Sequence, residues 1–240
     1  MSTLPTVEVC FSPRLYEHKL TKENFVTVVV DILRATTSIC AAFDHGVKEI
    51  IPVSGLDEAK EMKKKGYFVA CERDGQVLEF ADIGNSASDF IRDDLVGGVV
   101  AFSTTNGTKT INMARDAQEV LIGSFVNIQA LADHLIDKKE NVVIFCAAWK
   151  NLFNLEDSVF AGALAELLLD HGFSTICDST HGAIDLWHRA KSDLRKYLAK
   201  SSHRNRLKHL VSDEDFNYTI SLNLTKVVPI LKGDRLELAM

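Results

Sequence analysis

The stretch Phe25-Val26-Thr27-Val28-Val29-Val30-Asp31, running on through Ile32-Leu33-Arg34-Ala35-Thr36-Thr37 to Gly46, decides the fold class. Six consecutive residues, five of them β-branched, lack polar–apolar alternation, as in a strand buried on both faces. An acid, Asp31, then ends the run, and "RATTSICAAFDHG" has the composition of a helix stopped by Gly46. A buried strand followed at once by a helix is the opening half of a βαβ unit.

The same alternation continues along the chain. "VKEIIPVS", "YFVACE", "GGVVAFS", "EVLIGSF" and "NVVIFCAA" are predicted strands. Helices are predicted over "GLDEAKEMKKKG", with Ser54 as its N-cap and Gly66 as its stop, and over "TKTINMARDA", "NIQALADHLIDKK" and "LEDSVFAGALAELLLDHG". "DLWHRAKSDLRKYLAKS" and "HRNRLKHLV" also have helical patterns, and "YTISLNLTKVVPILKGDRLEL" reads as extended, adding late strands, antiparallel ones among the options, at a sheet edge. The expected fold is layered α/β/α with a mixed, largely parallel sheet. No Gly/Ser/Pro-rich linker interrupts the 240 residues, so one domain is expected over 1–240, with a division into two lobes near residue 125 as the alternative.

Composition bounds the function. The chain is 46% hydrophobic and 25% charged, with a net charge of -6, which argues against general nucleic-acid or anionic-membrane binding. The five cysteines are odd in number and none forms a C-x-x-C pair, so free thiols in a reducing cytoplasm are expected. The N-terminal segment lacks the basic head and apolar core of a signal peptide, and no apolar run reaches membrane-span length. The apolar C-terminal extended segment leaves room for a homodimer.

In a parallel α/β sheet, ligands bind at the carboxyl ends of the strands. Here those ends carry polar clusters: Asp31 with Arg34, Thr36 and Thr37; Glu72-Arg73; Ser103-Thr104-Thr105-Asn106-Gly107-Thr108-Lys109; and, after a loop, Asn154-Leu155-Glu156-Asp157. Gly84-Asn85-Ser86 forms a further cluster. Convergence on one rim is the expectation. Each cluster has a plainer alternative. Thr104 or Thr105 could cap a helix, Asn154 and Asp157 could form a capping arrangement, and Asp31 could pair structurally with Arg34. The functional alternative is an oxyanion cradle with two guanidinium forks and a hard-cation site at Asp31, Glu156 and Asp157 that would suit Mg²⁺. Asp178, His181, Asp185 and His188 could ligate a metal or simply line an exposed helix face.

Several phosphate-handling signatures are absent. There is no Walker motif, no cysteine with an arginine six residues on, no D-x-D pair at Asp31 and no R-H-G. H-E-x-x-H, G-x-G-x-x-G and G-x-S-x-G are missing as well.

The blocks "VVVDILRATTSICAAFDHG", "GNSASDF", "STTNGTKTI", "GSFVN" and "LEDSVFAGAL" together resemble the 2-phosphosulfolactate phosphatase family, from about Val28 to Asp178. The resemblance implies an α/β fold with a mixed sheet and a Mg²⁺-dependent phosphatase that releases phosphate from 2-phospho-3-sulfolactate, in some archaea a step of coenzyme M biosynthesis. By motif it carries over Asp31, Arg34, Thr36, Thr37, Glu72, Arg73, Asn85, Ser86, Thr104, Thr105, Asn106, Gly107, Glu156 and Asp157. Within that set the expected roles are Asp31, Arg34 and Glu72 for catalysis, Asp31, Glu156 and Asp157 for the metal, and the remainder for the substrate, a small phosphorylated or sulfonated acid. A non-catalytic oxyanion-binding protein is the competing reading. It is motivated by two departures, Trp149 and Lys150, in a loop that the family usually keeps smaller.

Overall fold

A computed structural model describes residues 4–19 and 25–239. Its strands are β1 (Val7–Cys10), β2 (Phe25–Val30), β3 (Glu49–Pro52), β4 (Phe68–Arg73), β5 (Gln76–Val77), β6 (Val99–Ser103), β7 (Glu119–Gly123), β8 (Asn141–Cys146), β9 (Pro229–Lys232) and β10 (Arg235–Leu238). The helices are α1 (Pro13–Tyr16), α2 (Ala35–Asp44), α3 (Leu56–Lys64), α4 (Ala87–Phe90), α5 (Gly107–Met113), α6 (Ile128–Lys138), α7 (Leu155–Asp170), α8 (Asp178–Ala190), α9 (Leu194–Leu198), α10 (Ser202–Leu207) and α11 (Asp213–Ile220). Among the described residues no helix is long and apolar enough to cross a membrane.

The strands form one mixed sheet in the order β1-β8-β2-β7-β9-β10-β3-β6-β4-β5. β2 lies between β8 and β7, parallel to both, and is fully buried. Its side chains alternate between two cores. Val26, Val28 and Val30 pack with residues of α6, α7 and α8, while Phe25 and Val29 pack with residues of α2 and α4. Both faces of this part of the sheet are therefore covered, which is the layered α/β/α arrangement the unalternated run predicts.

The late strands differ from expectation in place and extent. They are antiparallel, but they lie in the middle of the sheet rather than at its edge. Tyr218, Thr219 and Ile220 are helical, the last turn of α11, and the strands begin only at Pro229. Gly233-Asp234 turns the hairpin, with Gly233 at φ 62, the left-handed conformation a tight hairpin turn needs at its first central residue. β9 then pairs with β7, and β10 with β3, each through a single register pair (Leu121↔Ile230 and Leu236↔Ile50). An apolar hairpin with two buried neighbours is stabilised more by the sheet centre than by an exposed edge.

Three successive antiparallel steps reverse the strand sense between the block β1-β8-β2-β7 and the block β3-β6-β4. The two ladders that join the hairpin to β7 and β3 are one pair long, and sheet twist accumulates across them. The loops after β2 and β6 still meet, because Gly107 lies against Asp31 and Ala35. The long pattern over 185–201 is broken between α8 and α9, and α3 is capped by Gly55 rather than Ser54.

Candidate active site

Asp31 leaves β2 at the base of a narrow cleft of about 320 Å³ counted out to its mouth. The loop beneath it is tied by its own hydroxyls. Thr36 Oγ1 accepts from the Asp31 amide at 3.0 Å, and the Thr36 amide donates to the Asp31 carbonyl at 3.0 Å. Thr37 Oγ1 donates to the Ile32 carbonyl at 3.0 Å and shares a hydrogen bond with Ser124 Oγ at 2.7 Å. Both threonines are thus engaged within the protein and do not line the cleft. The Asp31 carboxylate makes no hydrogen bond among the described residues and is only 6% exposed.

α7 brings two more acids close behind Asp31, both fully buried and neither lining the cleft. Asp157 Oδ1 accepts from the Ile32 amide at 2.9 Å, and Oδ2 accepts from Asn154 Nδ2 at 2.7 Å and the Ala148 amide at 3.3 Å. Both oxygens are spent on anchoring the loops after β2 and β8. Glu156 is different. Its Oε1 meets His203 Nδ1 at 2.8 Å, while Oε2 is buried without a partner among the described residues.

Glu72 bridges two loops. Oε2 accepts from the Gly75 amide at 2.6 Å and Oε1 from the Thr105 amide at 2.8 Å. Asp74 and Gly75 have φ 50 and 88 and turn the β4–β5 hairpin, as Asp-Gly does in two-residue turns. Arg34 fills the space between, its Nη1 donating to Ser86 Oγ at 2.8 Å and Nη2 to the Gly75 carbonyl at 3.1 Å. No carboxylate among the described residues lies within 4.0 Å of it, so the Asp31–Arg34 ion pair is not formed. Ser86 caps α4 in a reciprocal arrangement with Asp89, and Asn85 lines the cleft with its Oδ1 buried and unpartnered.

Arg73 is placed elsewhere. Its guanidinium turns back to the end of β6, donating to Ser103 Oγ at 2.9 Å and to the Glu72 carbonyl at 2.6 Å, and it does not line the cleft. In the loop after β6, Thr104 and Thr108 cap each other through amide-to-hydroxyl bonds of 3.1 Å. Thr105 and Asn106 line the cleft. Gly107 is where two backbones press together, since a Cβ there would fall 2.3 Å from Ala35 Cβ and 2.8 Å from Asp31 Oδ2.

Trp149, His203, Arg206 and Leu207, outside these sequence blocks, help complete the walls. Trp149 opens a tight turn in which Lys150 and Asn151 have φ 51 and 63 and Trp149 and Leu152 exchange backbone hydrogen bonds. Arg206 stacks on the Trp149 ring at 3.9 Å. Both His203 and Arg206 belong to α10, which packs against the hairpin at Gly75, where a Cβ would meet Leu207 Cδ2 at 2.6 Å. A cluster of arginines and histidines in a net acidic chain was the available signal for them. By contrast, Asp178, His181, Asp185 and His188 occupy the exposed face of α8, and His188 pairs with Glu166.

The electrostatics follow from crowding. Burial, and then the charge of Asp157, raise the Asp31 carboxyl to about 7. Burial, and then Glu156, raise Asp157 to about 7 against its three hydrogen bonds. Burial lowers the Arg34 and Arg206 guanidinium groups from their usual value, offset by the acids around them. Among the described residues no three of His, Cys, Asp and Glu form a ready cation cage. Mg²⁺ ordinarily takes only one or two protein carboxylates and completes its shell with water and substrate oxygens. The carboxylate oxygens of Asp31 and the orphaned Glu156 Oε2 fit that requirement, whereas those of Asp157 and Glu72 are already engaged.

The chain is 32% identical over 204 residues to a probable 2-phosphosulfolactate phosphatase of Thermotoga maritima, covering 85% of this chain and 88% of that one. It is 35% identical over 217 residues to a protein of the same description from Prochlorococcus marinus, covering 87% and 89%. A third, from Carboxydothermus hydrogenoformans, is 35% identical over 226 residues, covering 93% and 92%. The family profile described as 2-phosphosulpholactate phosphatase matches residues 10–234, and the chain belongs to that family.

Proposed function

We propose that the protein is a Mg²⁺-dependent phosphomonoesterase that hydrolyses 2-phospho-3-sulfolactate, or a closely related small phosphorylated acid, to the alcohol and inorganic phosphate. The observation that carries this reading is a single cleft in which a buried carboxylate without a hydrogen-bond partner, Asp31, faces two guanidinium groups, Arg34 and Arg206. Family membership supplies the reaction class and the substrate named for the relatives.

Arg34 and Arg206 grip phosphoryl oxygens and offset the charge that develops on them. Arg34 is pre-positioned by Ser86 and Gly75, so little side-chain freedom is lost on binding. Asp31, whose carboxylate has no hydrogen-bond partner among the described residues and lines the cleft, accepts the proton of the attacking water. Glu72 fixes the Thr105 and Gly75 backbones around the substrate, and Trp149 with Leu207 limits the entry of bulk water. Asp31 and Glu156 Oε2 would hold Mg²⁺. Held there, it would supply positive charge to offset that of the phosphoryl group and of these acids.

The test is phosphate release from 2-phospho-3-sulfolactate, phospholactate and phosphoglycolate, each with Mg²⁺ and with EDTA. Mg²⁺-dependent release, fastest from the sulfonated acid, is expected. Tight binding of these acids with no release at any Mg²⁺ concentration would establish an anion-binding protein instead.

A further inference from the structure

The carboxylate cleft has a neighbour of different chemistry. A second cavity, about 470 Å³ counted out to its mouth, is lined by Thr105, Asn106, Lys109, Lys150 and Asn151 among others. Thr105 and Asn106 line both spaces, so the two share a wall. The first cavity contains Asp31, Glu72 and Asp74, whereas the second contains no acidic residue. Neither Lys109 nor Lys150 has a carboxylate within 4.0 Å among the described residues. Two unpaired ammonium groups beside one cavity, in a chain of net charge -6, are a local reversal of the protein's own field.

Lys150 is held in place rather than free. It is the first central residue of the turn Trp149–Leu152, and its ammonium lies 4.7 Å from the centroid of the Trp149 ring. That indole also carries the Arg206 guanidinium of the first cavity. One aromatic side chain therefore sets the spacing between a cation of each cavity. The Asn106 side-chain amide makes no hydrogen bond among the described residues and faces both spaces, leaving it available to a bound ligand.

We propose that the Lys109–Lys150 cavity is a second anion subsite. It takes the sulfonate of a phosphorylated sulfo-acid while the phosphoryl group lies against Arg34 and Arg206. This rests on the phosphatase reading and extends it to substrate choice. A sulfonate is ionised at all working pH values and presents three equivalent oxygens. A compact ammonium with three rotatable donors suits it without the planar fork that an arginine provides. The carboxylate-lined cleft would repel a second permanent anion, and the acid-free cavity would not.

The test uses Lys150→Ala, Lys109→Ala and the double variant, with Lys150→Arg as the charge-retaining control. Both lysines are exposed, so the variants are expected to fold, which thermal melting checks. The readout is the ratio of kcat/KM for phosphosulfolactate to that for phospholactate. We expect that ratio to fall about tenfold per lysine, mainly through KM, and to recover in part with arginine. An unchanged ratio in an active enzyme overturns the subsite and leaves the phosphatase intact. If no substrate releases phosphate, the phosphatase reading fails, and calorimetry with 3-sulfolactate decides the subsite alone. Binding weakened in the double variant supports it, and equal binding overturns it.

Discussion

Gly107 and Asp31 come from loops 76 positions apart, yet a single added carbon on Gly107 would fall 2.8 Å from Asp31 Oδ2. The same carbon would meet Ala35 Cβ at 2.3 Å. Ala35 Cβ is fixed to its backbone and cannot turn aside. Gly107→Ala is therefore expected to push the start of α2 and the carboxylate out of register, costing about 1–3 kcal/mol of stability. It should also remove most phosphate release. A melt and a turnover assay on the same preparation check both.

Asp31→Asn separates chemistry from stability. Turnover is expected to fall by about 10²-fold or more, the scale of a lost acid–base group. The fold should survive, because the Asp31 side chain anchors nothing. At pH 8 without Mg²⁺ the variant should be more resistant to urea than the parent, because one of the crowded acids no longer ionises. A variant that kept its turnover would remove Asp31 from the chemistry.

The pH dependence of stability has a definite sign. Asp31 and Asp157 titrate at about 7 when folded, against 3.8 for an ordinary aspartate. Their contribution is complete below 3.8 and is lost as pH rises to about 7, because the unfolded chain gives up its protons first. Urea midpoints of the cation-free protein should therefore decline across that window and level off above it. Mg²⁺ should raise the midpoint more at pH 8 than at pH 6, where protons compete for the same oxygens. Glu156→Gln should blunt that rise.

The two arginines outside the Arg34 position should behave oppositely. Arg206 lines the cleft, so Arg206→Ala is expected to raise KM about tenfold or more, the scale of one charged contact. Arg73 ties β4 to Ser103, so Arg73→Ala should cost about 1 kcal/mol of stability and leave KM within about twofold. A large KM effect at Arg73 would mean that its guanidinium swings toward the ligand.

These contrasts mark what can be read from the chain alone. The β-branched runs and the helix patterns are local, so β2, α2 and α7 stand out directly, as do the polar clusters at strand ends. Hydroxyl chemistry is harder to read. Thr36, Thr37 and Thr104 have the residue types of an oxyanion cradle, yet their partners are backbone groups a few positions away or a hydroxyl from another loop. Only the packed loops decide between the two uses. His203 and Arg206 sit in a short amphipathic helix whose pattern says only that one side is wet. Their place in the cleft is fixed by contacts with Glu156, Trp149 and Gly75, none of them near in sequence. The central position of the β9–β10 hairpin likewise depends on which edges remain open elsewhere.

That hairpin gives the protein a timing problem during synthesis. β7 ends at Gly123 and β9 begins at Pro229, so roughly 100 residues separate them, on the order of 5–20 s at ordinary translation rates. Until then β7 and β3 each present an open edge, and neither has its final neighbour. A nascent chain in this interval is a target for strand-seeking chaperones and for pairing with a sister chain on the same message. Slow codons between α8 and α11 would lengthen that exposure, and a yield of soluble protein that falls when such codons are introduced would locate the vulnerable window.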